Sequence, residues 1–366
     1  MKIVYIINSL DIGGAEKKVC NLADKLVKNY NLEVSIISLK NKIKIKPLNK
    51  KINIYTLKIN KNPINCIFGF LKLINLIKKI HPTIVHSHLY YSNLLSRILK
   101  PIFPSLKIIS TVHNSIEKNN IITNLLSFTD GFSDLNTTVS QSALEKYLKL
   151  GIFKKRKSTY IYNGIEIMNY KFDSKIRKIV REEENINENE FVFLSIARLI
   201  KSKGIFDVLN AFKLVNKELK ARLILIGDGP LKNDLEAYIS NNELRNFIIF
   251  KSENTKIKDY LSASDTFLNS SYSEGFSLVS VEALANQIPI IASDIETHRE
   301  IIGNHALFYP VGNYRFLSGL MHQKVIDKKE RLLDSSSVPF KRVVKHFSLD
   351  NSVRNWFEAY ENIIKN

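Results

Sequence analysis

Short apolar runs alternate with amphipathic stretches along the first half of the chain. The runs at 2–7 (KIVYII), 32–39, 52–58, 83–87, 107–113, 135–140 and 158–162 are continuous and rich in β-branched residues, which predicts strands buried on both faces. Between most of them, apolar positions recur at helical spacing over 15–29, 64–80, 90–99 and 141–149. A polar, charged passage at 170–190 reads as a linker. The alternation then restarts, with strands at 191–197, 222–226, 246–250, 266–269 and 288–292 and helices at 205–218, 231–240, 255–263 and 277–286. Strands and helices in strict turn predict parallel sheets that bind ligands at the carboxyl ends of their strands. The pattern gives an α/β protein of two Rossmann-like βαβ domains, 1–168 and 169–345, facing each other across a cleft. A stripe of Val353, Trp356, Phe357, Tyr360 and Ile363 predicts a terminal helix within 346–366 that packs back on the first domain.

Composition changes this picture little, and charge changes it more. With 45% hydrophobic and 24% charged residues, the 366-residue chain has the makeup of a globular protein. The opening apolar run breaks at Asn8 and Asp11, too short for a signal-peptide core or a membrane span, so an intracellular protein is expected. Cys20 and Cys66 have no metal-like spacing and predict neither a disulfide framework nor a zinc site. Residues 1–165, however, carry 26 Lys and Arg against 8 Asp and Glu, whereas the rest carry 28 against 27. Between Glu33 and Glu117 there are 14 basic residues and no acidic one. Such asymmetry points one half toward an anionic partner, whether nucleic acid, membrane or phosphorylated substrate.

The most specific passage is 270–294. A strand ends near Asn269, a loop carries Glu274 and Gly275, and a helix is expected from Phe276. The first amides of a helix have no intrahelical partner and, with the macrodipole, attract an anion; Gly275 lets it approach the backbone. Glu282 lies ~9 Å further along the helix axis, where a carboxylate can accept hydrogen bonds from ribose hydroxyls. Two isolated glutamates would otherwise be ordinary surface charges. The passage resembles the signature of the retaining glycosyltransferases of family 4, which have the GT-B fold: Glu-x7-Glu, an Ala-rich helix end, then Pro289 and Asp294. The resemblance implies that Glu274 holds the donor sugar and Glu282 the ribose, with the amides of Gly275, Phe276, Ser277 and Leu278 facing diphosphate and sugar.

Other landmarks of that family follow in order. Arg198 and Lys203, between a strand and a helix, match the cations that bind the diphosphate leaving group, and two cations leaving one strand end suit that task. The chain has no Asp-x-Asp, so no cofactor and no metal are expected. Gly227-Asp228-Gly229-Pro230 matches a family turn, and Ser252 would lie under the nucleotide base. Gly13 and Gly14, in Gly-Gly-Ala-Glu after the first strand, match a loop that approaches donor phosphate or acceptor. It is not the dinucleotide Gly-x-Gly-x-x-Gly fingerprint. His113 ends a strand where the family places a His against the donor sugar; His86 and His88 are candidates for an acceptor pocket or for sheet-end packing. Asn163-Gly164 reads as the hinge. The chain departs from the family pattern at Ala197, at Gln287, where a helix-ending Gly is usual, and at Glu296-Thr297, in place of Gly-Gly.

The resemblance implies a metal-independent retaining transfer of a hexosyl or N-acetylhexosaminyl group from a nucleotide diphosphate sugar, UDP favoured. The acceptor would be a hydroxyl of a lipid-linked glycan in O-antigen or capsule synthesis, at the inner face of the cytoplasmic membrane. Helix 64–80 and the run Lys42, Lys44, Lys46, Lys50 and Lys51 are the segments expected to meet anionic lipid; an ordinary helix covering the sheet is the equal alternative for 64–80. Two other readings stand beside this one. A UDP-sugar 2-epimerase would share the fold and donor site, and a nucleic-acid-binding module would explain the basic half but leave Arg198, Lys203, Glu274 and Glu282 without a task.

Overall fold

The chain folds into two units, Met1–Gly164 with Leu349–Asn366 and Ile165–Ser348. A computed structural model describes residues 1–11, 13–60, 62–113, 121–219, 221–252, 255–327 and 337–365, the side chain of residue 122 excepted. The first boundary falls four residues before the expected one. The last segment returns to the first unit at 349 rather than 346, because Val338–Phe347 is a separate helix of the second unit.

The first unit is built on seven parallel strands: β1 (Lys2–Ile7), β2 (Glu33–Ser38), β3 (Asn53–Thr56), β4 (Ile84–His88), β5 (Lys107–Val112), β6 (Leu135–Thr138) and β7 (Ser158–Tyr160). Their order in the sheet is β3-β2-β1-β4-β5-β6-β7. Helices α1 (Gly14–Tyr30), α2 (Pro63–Ile80), α3 (Tyr90–Arg97), α4 (Ile121–Phe128) and α5 (Gln141–Lys149) make the crossovers, of which α4 is absent from the sequence reading.

The second unit has six parallel strands, β8 (Phe191–Ile196), β9 (Ala221–Ile226), β10 (Ile248–Lys251), β11 (Thr266–Asn269), β12 (Ile290–Ser293) and β13 (Ala306–Tyr309), in the order β10-β9-β8-β11-β12-β13. Its helices are α6 (Ser174–Glu183), α7 (Ile205–Glu218), α8 (Lys232–Asn241), α9 (Ile257–Ala263), α10 (Leu278–Asn286), α11 (Glu296–Ile302), α12 (Tyr314–Asp327) and α13 (Val338–Phe347); α14 (Leu349–Lys365) belongs to the first unit. In each sheet the strand order reverses once, between β1 and β4 and between β8 and β11. Such a reversal opens a crevice at the carboxyl ends of the two strands.

The passage read as a linker contains α6. Asp173 caps it by accepting from the amides of Lys175 and Ile176, as a short polar N-cap does. Arg177 and Arg181, one turn apart, each reach a different oxygen of Asp265 at 2.6 and 2.7 Å. The charges that made the passage look solvated therefore dock it. Arg181 is buried, and its guanidinium also donates to the carbonyls of Ala263 and Glu190.

Alternation along β1 separates two cores. Ile3, Tyr5 and Ile7 pack with α1 and with Trp356 and Tyr360 of α14, while Val4 and Ile6 pack with Leu73 and Ile77 of α2. One buried face thus holds α1 and α14 and the opposite face holds α2, a consequence of the two-residue period of a strand.

Candidate active site

Both functional loops of the second unit leave strands at its switch point. After β8 come Arg198, a single 3-10 turn at Lys201–Lys203, and Gly204; after β11 comes the loop bearing Glu274. The loops are stitched together through backbone: Tyr272 donates its amide to Ser202 O at 2.8 Å, and Ser270 Oγ donates to Lys203 O at 2.7 Å. Gly204 sits in the left-handed region (φ 61°), and a Cβ there would collide with the Ser270 carbonyl. Only glycine fits both conditions. Gly227, after the adjacent β9, likewise has no room for a Cβ against the Ala197 carbonyl. Close glycine contacts therefore set the separation of the strand ends.

This framework brings Lys203 Nζ to 2.5 Å from Glu274 Oε1, with both side chains largely buried. Ser271 Oγ donates to the same carboxylate oxygen at 2.8 Å, and Thr297 Oγ1 donates to the Glu274 carbonyl at 3.0 Å. Behind them, His298 is fully buried, and its Nδ1 lies 2.8 Å from the Ser293 carbonyl. Burial lowers its pKa, with Glu274 and Lys203 close enough to pull in opposite directions. A carboxylate and an ammonium are thus held side by side at the strand ends. Arg198, two residues beyond the end of β8, is exposed. Ser252 follows β10, two strands or about 10 Å from β8, and is exposed.

The helix after this loop starts later than expected. Ser277 is its N-cap, accepting from the amide of Ser280, and α10 begins at Leu278. Asn269 Nδ2 donates to Ser277 Oγ and Ser280 Oγ, both at 2.9 Å, which ties the cap to the end of β11. Part of the N-terminal hydrogen-bonding capacity is therefore used internally. Phe276 is buried and meets Phe347 edge-on. Glu282 is the fifth helical residue, ~6 Å from the first, and is buried rather than surface-exposed. Tyr170, outside the sequence reading, hydrogen-bonds its carboxylate, and the phenol is pushed up by burial and by that charge. Gln287 adopts the left-handed C-cap (φ 60°) that the missing glycine would take more easily.

At the first unit's switch point, Gly13 is the N-cap of α1 without a side-chain cap, and the Glu16 carboxylate folds back so closely that a Cβ on Gly13 would strike it. Gly14 is the first helical residue. His113 follows β5, and its Nε2 lies 3.0 Å from Nδ1 of the buried His88. His86 is core: its Nδ1 is 2.8 Å from Tyr360 Oη and its Nε2 2.7 Å from Thr111 Oγ1. Burial drives the pKa of all three imidazoles well down, helped by the nearby Lys18. Lys18 itself is buried in α1, its Nζ 5.5 Å above the Trp356 ring and without a hydrogen-bond partner. Its spacing of four from Leu22 and Leu26, both buried, was the available signal.

Among the described residues, no group of three or more His, Cys, Asp or Glu side chains is arranged to hold a metal ion. Cys20 and Cys66 are free.

Comparison with known proteins gives the arrangement a family. Residues 176–332 match the profile described as Glycosyl transferases group 1, and residues 12–168 match Glycosyltransferase Family 4. The chain belongs to the family 4 glycosyltransferases. Its fold is theirs: HepE of Anabaena, solved with UDP, superposes with a TM-score of 0.83 over 99% of this chain and 100% of its own, at 17% identity. The O-antigen biosynthesis glycosyltransferase WclY of Escherichia coli is 26% identical over 324 residues, 86% of either chain. The putative teichuronic acid biosynthesis glycosyltransferase TuaC of Bacillus subtilis is 27% identical over 175 residues, 48% of this chain and 42% of TuaC. The chain spans about half the length of the first curated relatives it matches.

Proposed function

We propose that this glycosyltransferase moves a hexosyl or N-acetylhexosaminyl group from a UDP-sugar to a hydroxyl of a lipid-linked glycan, with retention and without a metal. The observation that carries the reading is the Lys203–Glu274 pair at the second unit's switch point, where Arg198 also leaves the end of β8. A diphosphate arriving there competes for Lys203 and joins Arg198, which leaves the Glu274 carboxylate to accept hydrogen bonds from sugar hydroxyls. Glu282, held by Tyr170, accepts from the ribose. Gly227 and Ser252 line the nucleotide side, and the backbone of Gly275, Phe276, Ser277 and Leu278 runs between the two glutamates. His113, Gly13 and Gly14 serve the sugar and acceptor from the first unit. In the transfer, the bond from the anomeric carbon to the diphosphate oxygen breaks and one to the acceptor oxygen forms. The acceptor proton passes to the leaving diphosphate, whose charge the two cations stabilise. Relatives named for O-antigen and teichuronic acid synthesis support a surface-polysaccharide acceptor, and the HepE complex supports UDP; the inner membrane face is where a lipid-linked acceptor would be met.

Titration of UDP- and GDP-sugars by calorimetry tests the donor, and transfer to a lipid-linked acceptor in EDTA tests the chemistry. Lys203→Ala should slow transfer ~30- to 5 × 10³-fold, the ~2–5 kcal/mol lost with one partner of a buried charge pair; Arg198→Ala, which removes charge-assisted hydrogen bonds to the leaving diphosphate of ~1.5–3 kcal/mol, should slow it ~10- to 150-fold. Glu282→Ala should chiefly weaken nucleotide binding, and Glu274→Ala should chiefly lower kcat. No nucleotide-sugar binding, or activity abolished by EDTA and restored by manganese, refutes the proposal in its respective part.

A further inference from the structure

We propose that the outer face of α2, the turn after α3, and α4 forms a docking surface for an anionic lipid bilayer. It rests on the reading above for its purpose, presenting a lipid-borne acceptor, while its evidence is separate. In α2, Gly69, Leu73 and Ile77 are buried, and Leu73 and Ile77 pack on the sheet. Ile64, Ile67, Phe68 and Leu71 stand about half a turn round the helix, and each is at least half exposed. A helix that merely covers a sheet has a polar outer face, and the first half of this one is apolar on both. In α4, Ile121, Leu125 and Phe128 recur at four- and three-residue spacing along one exposed stripe, with Phe128 84% exposed, and Leu126 is buried on the other side.

The two helices share a face. Leu73 of α2 belongs to the same core as Ile108 of β5. Leu126 of α4 packs with Val112 of β5, four residues along that strand and hence on the same side of the sheet. Between them, Ile98 and Ile102, after α3, are also exposed. An apolar surface of this extent on a protein marks an interaction site. Its charge decides the partner: α2, α3 and α4 contain no Asp or Glu, while Lys72, Lys78 and Lys79 are exposed on α2. Apolar side chains rimmed by lysines, without a carboxylate, fit the interface of an anionic membrane. No described helix is long and apolar enough to cross one.

The basic run also expected to meet lipid is anchored to α1 over part of its length. Asp24 of α1 accepts from the amides of Leu48 and Asn49, and Ile43 and Ile45 pack in the α1 core. Lys44 pairs with Asp11 at 3.2 Å, and Lys42 also pairs with it. Residues 43–49 of that segment thus pack on the α1 side of the sheet, opposite α2.

The test is co-sedimentation of the full chain with vesicles of phosphatidylcholine alone or with 30 mol% phosphatidylglycerol, in low salt and in ~0.5 M salt. Wild type should bind the anionic vesicles and release in high salt. Ile67→Asp with Phe68→Asp, and Leu125→Asp with Phe128→Asp, should each weaken binding at least ~10-fold, whereas Lys42→Gln with Lys46→Gln should change it less than ~2-fold. Equal binding to neutral and anionic vesicles, no binding, or Asp variants that bind like wild type overturns the proposal. So does sedimentation equilibrium showing a dimer that the Asp variants dissociate, which makes the face a contact between copies. UDP-sugar affinity, titrated on the same samples, should be unchanged in every variant. Vesicle binding without UDP-sugar binding would sink the donor reading and leave the surface standing.

Discussion

Replacing Lys18 with methionine should make the first unit more stable at neutral pH, by an amount that shrinks as pH rises. Burial pushes the Lys18 amine down to about 7 from its ordinary 10.5, and no hydrogen bond offsets it, only the Trp356 ring beneath the amine. The facing groups are His86 and His88 of β4, His113 after β5, Tyr5 of β1, and Trp356 and Tyr360 of α14. In the unfolded chain the amine stays protonated up to 10.5, so between pH 7 and 10.5 the unfolded state binds more protons and stability rises with pH. Below pH 7 both states are charged, and the full cost of the buried cation is present. At pH 7.5 that cost is about 4 kcal/mol, three pH units at ~1.4 kcal/mol each. Methionine keeps the stem in the core and removes the charge. Trp356 is the chain's one tryptophan and lies in the first unit, so urea unfolding followed by its fluorescence reports that unit alone. The variant should be more stable by several kcal/mol at pH 7 and near parity above pH 10. A gap that does not change with pH, or a variant less stable at pH 7, would refute the argument. The lowered imidazoles add lability below their ordinary range in both proteins, less so in the variant because Lys18 is one cause of their shift, so the comparison is read at pH 7 and above.

Gly204→Ala should cost donor affinity at least ~10-fold by calorimetry, because the left-handed φ and the Ser270 carbonyl must both give way and carry Lys203 with them. Gln287→Gly should raise the stability of the second unit by about 1 kcal/mol, by relieving the left-handed C-cap of α10; an unchanged or lowered thermal midpoint would contradict it.

Parallel sheets were legible because their strands are continuous apolar runs: β1 and β11, like α7, fall at the limits read from the residues. The motif residues after β8, β9, β10 and β11 lie at one edge for the same reason. What escaped was set by tertiary contact. The charges of α6 read as solvated until Asp265 was placed between Arg177 and Arg181. Lys17 and Lys18 are alike as residues, and only the spacing to Leu22 and Leu26 separates the buried one. Tyr170 and Thr297 support Glu282 and Glu274 from segments far apart in the chain, where no local pattern points to them. Charge totals located the basic half but not its pairings: Lys42 and Lys44 both reach Asp11, about thirty residues back in the chain.

The position of α14 bears on the order in which the protein is made. A nascent chain that has reached Ser348 holds every residue of the second unit, yet the first unit, begun at Met1, still lacks Trp356 and Tyr360. His86 then has no Tyr360 hydroxyl for its Nδ1, and the face of the sheet beside α1 is uncovered. At ribosomal rates of ~5–20 residues per second, the 184 residues of the second unit take some ten to forty seconds to synthesise. The half of the chain translated first is thus the half finished last, and during that interval its exposed core is the part most in need of a chaperone.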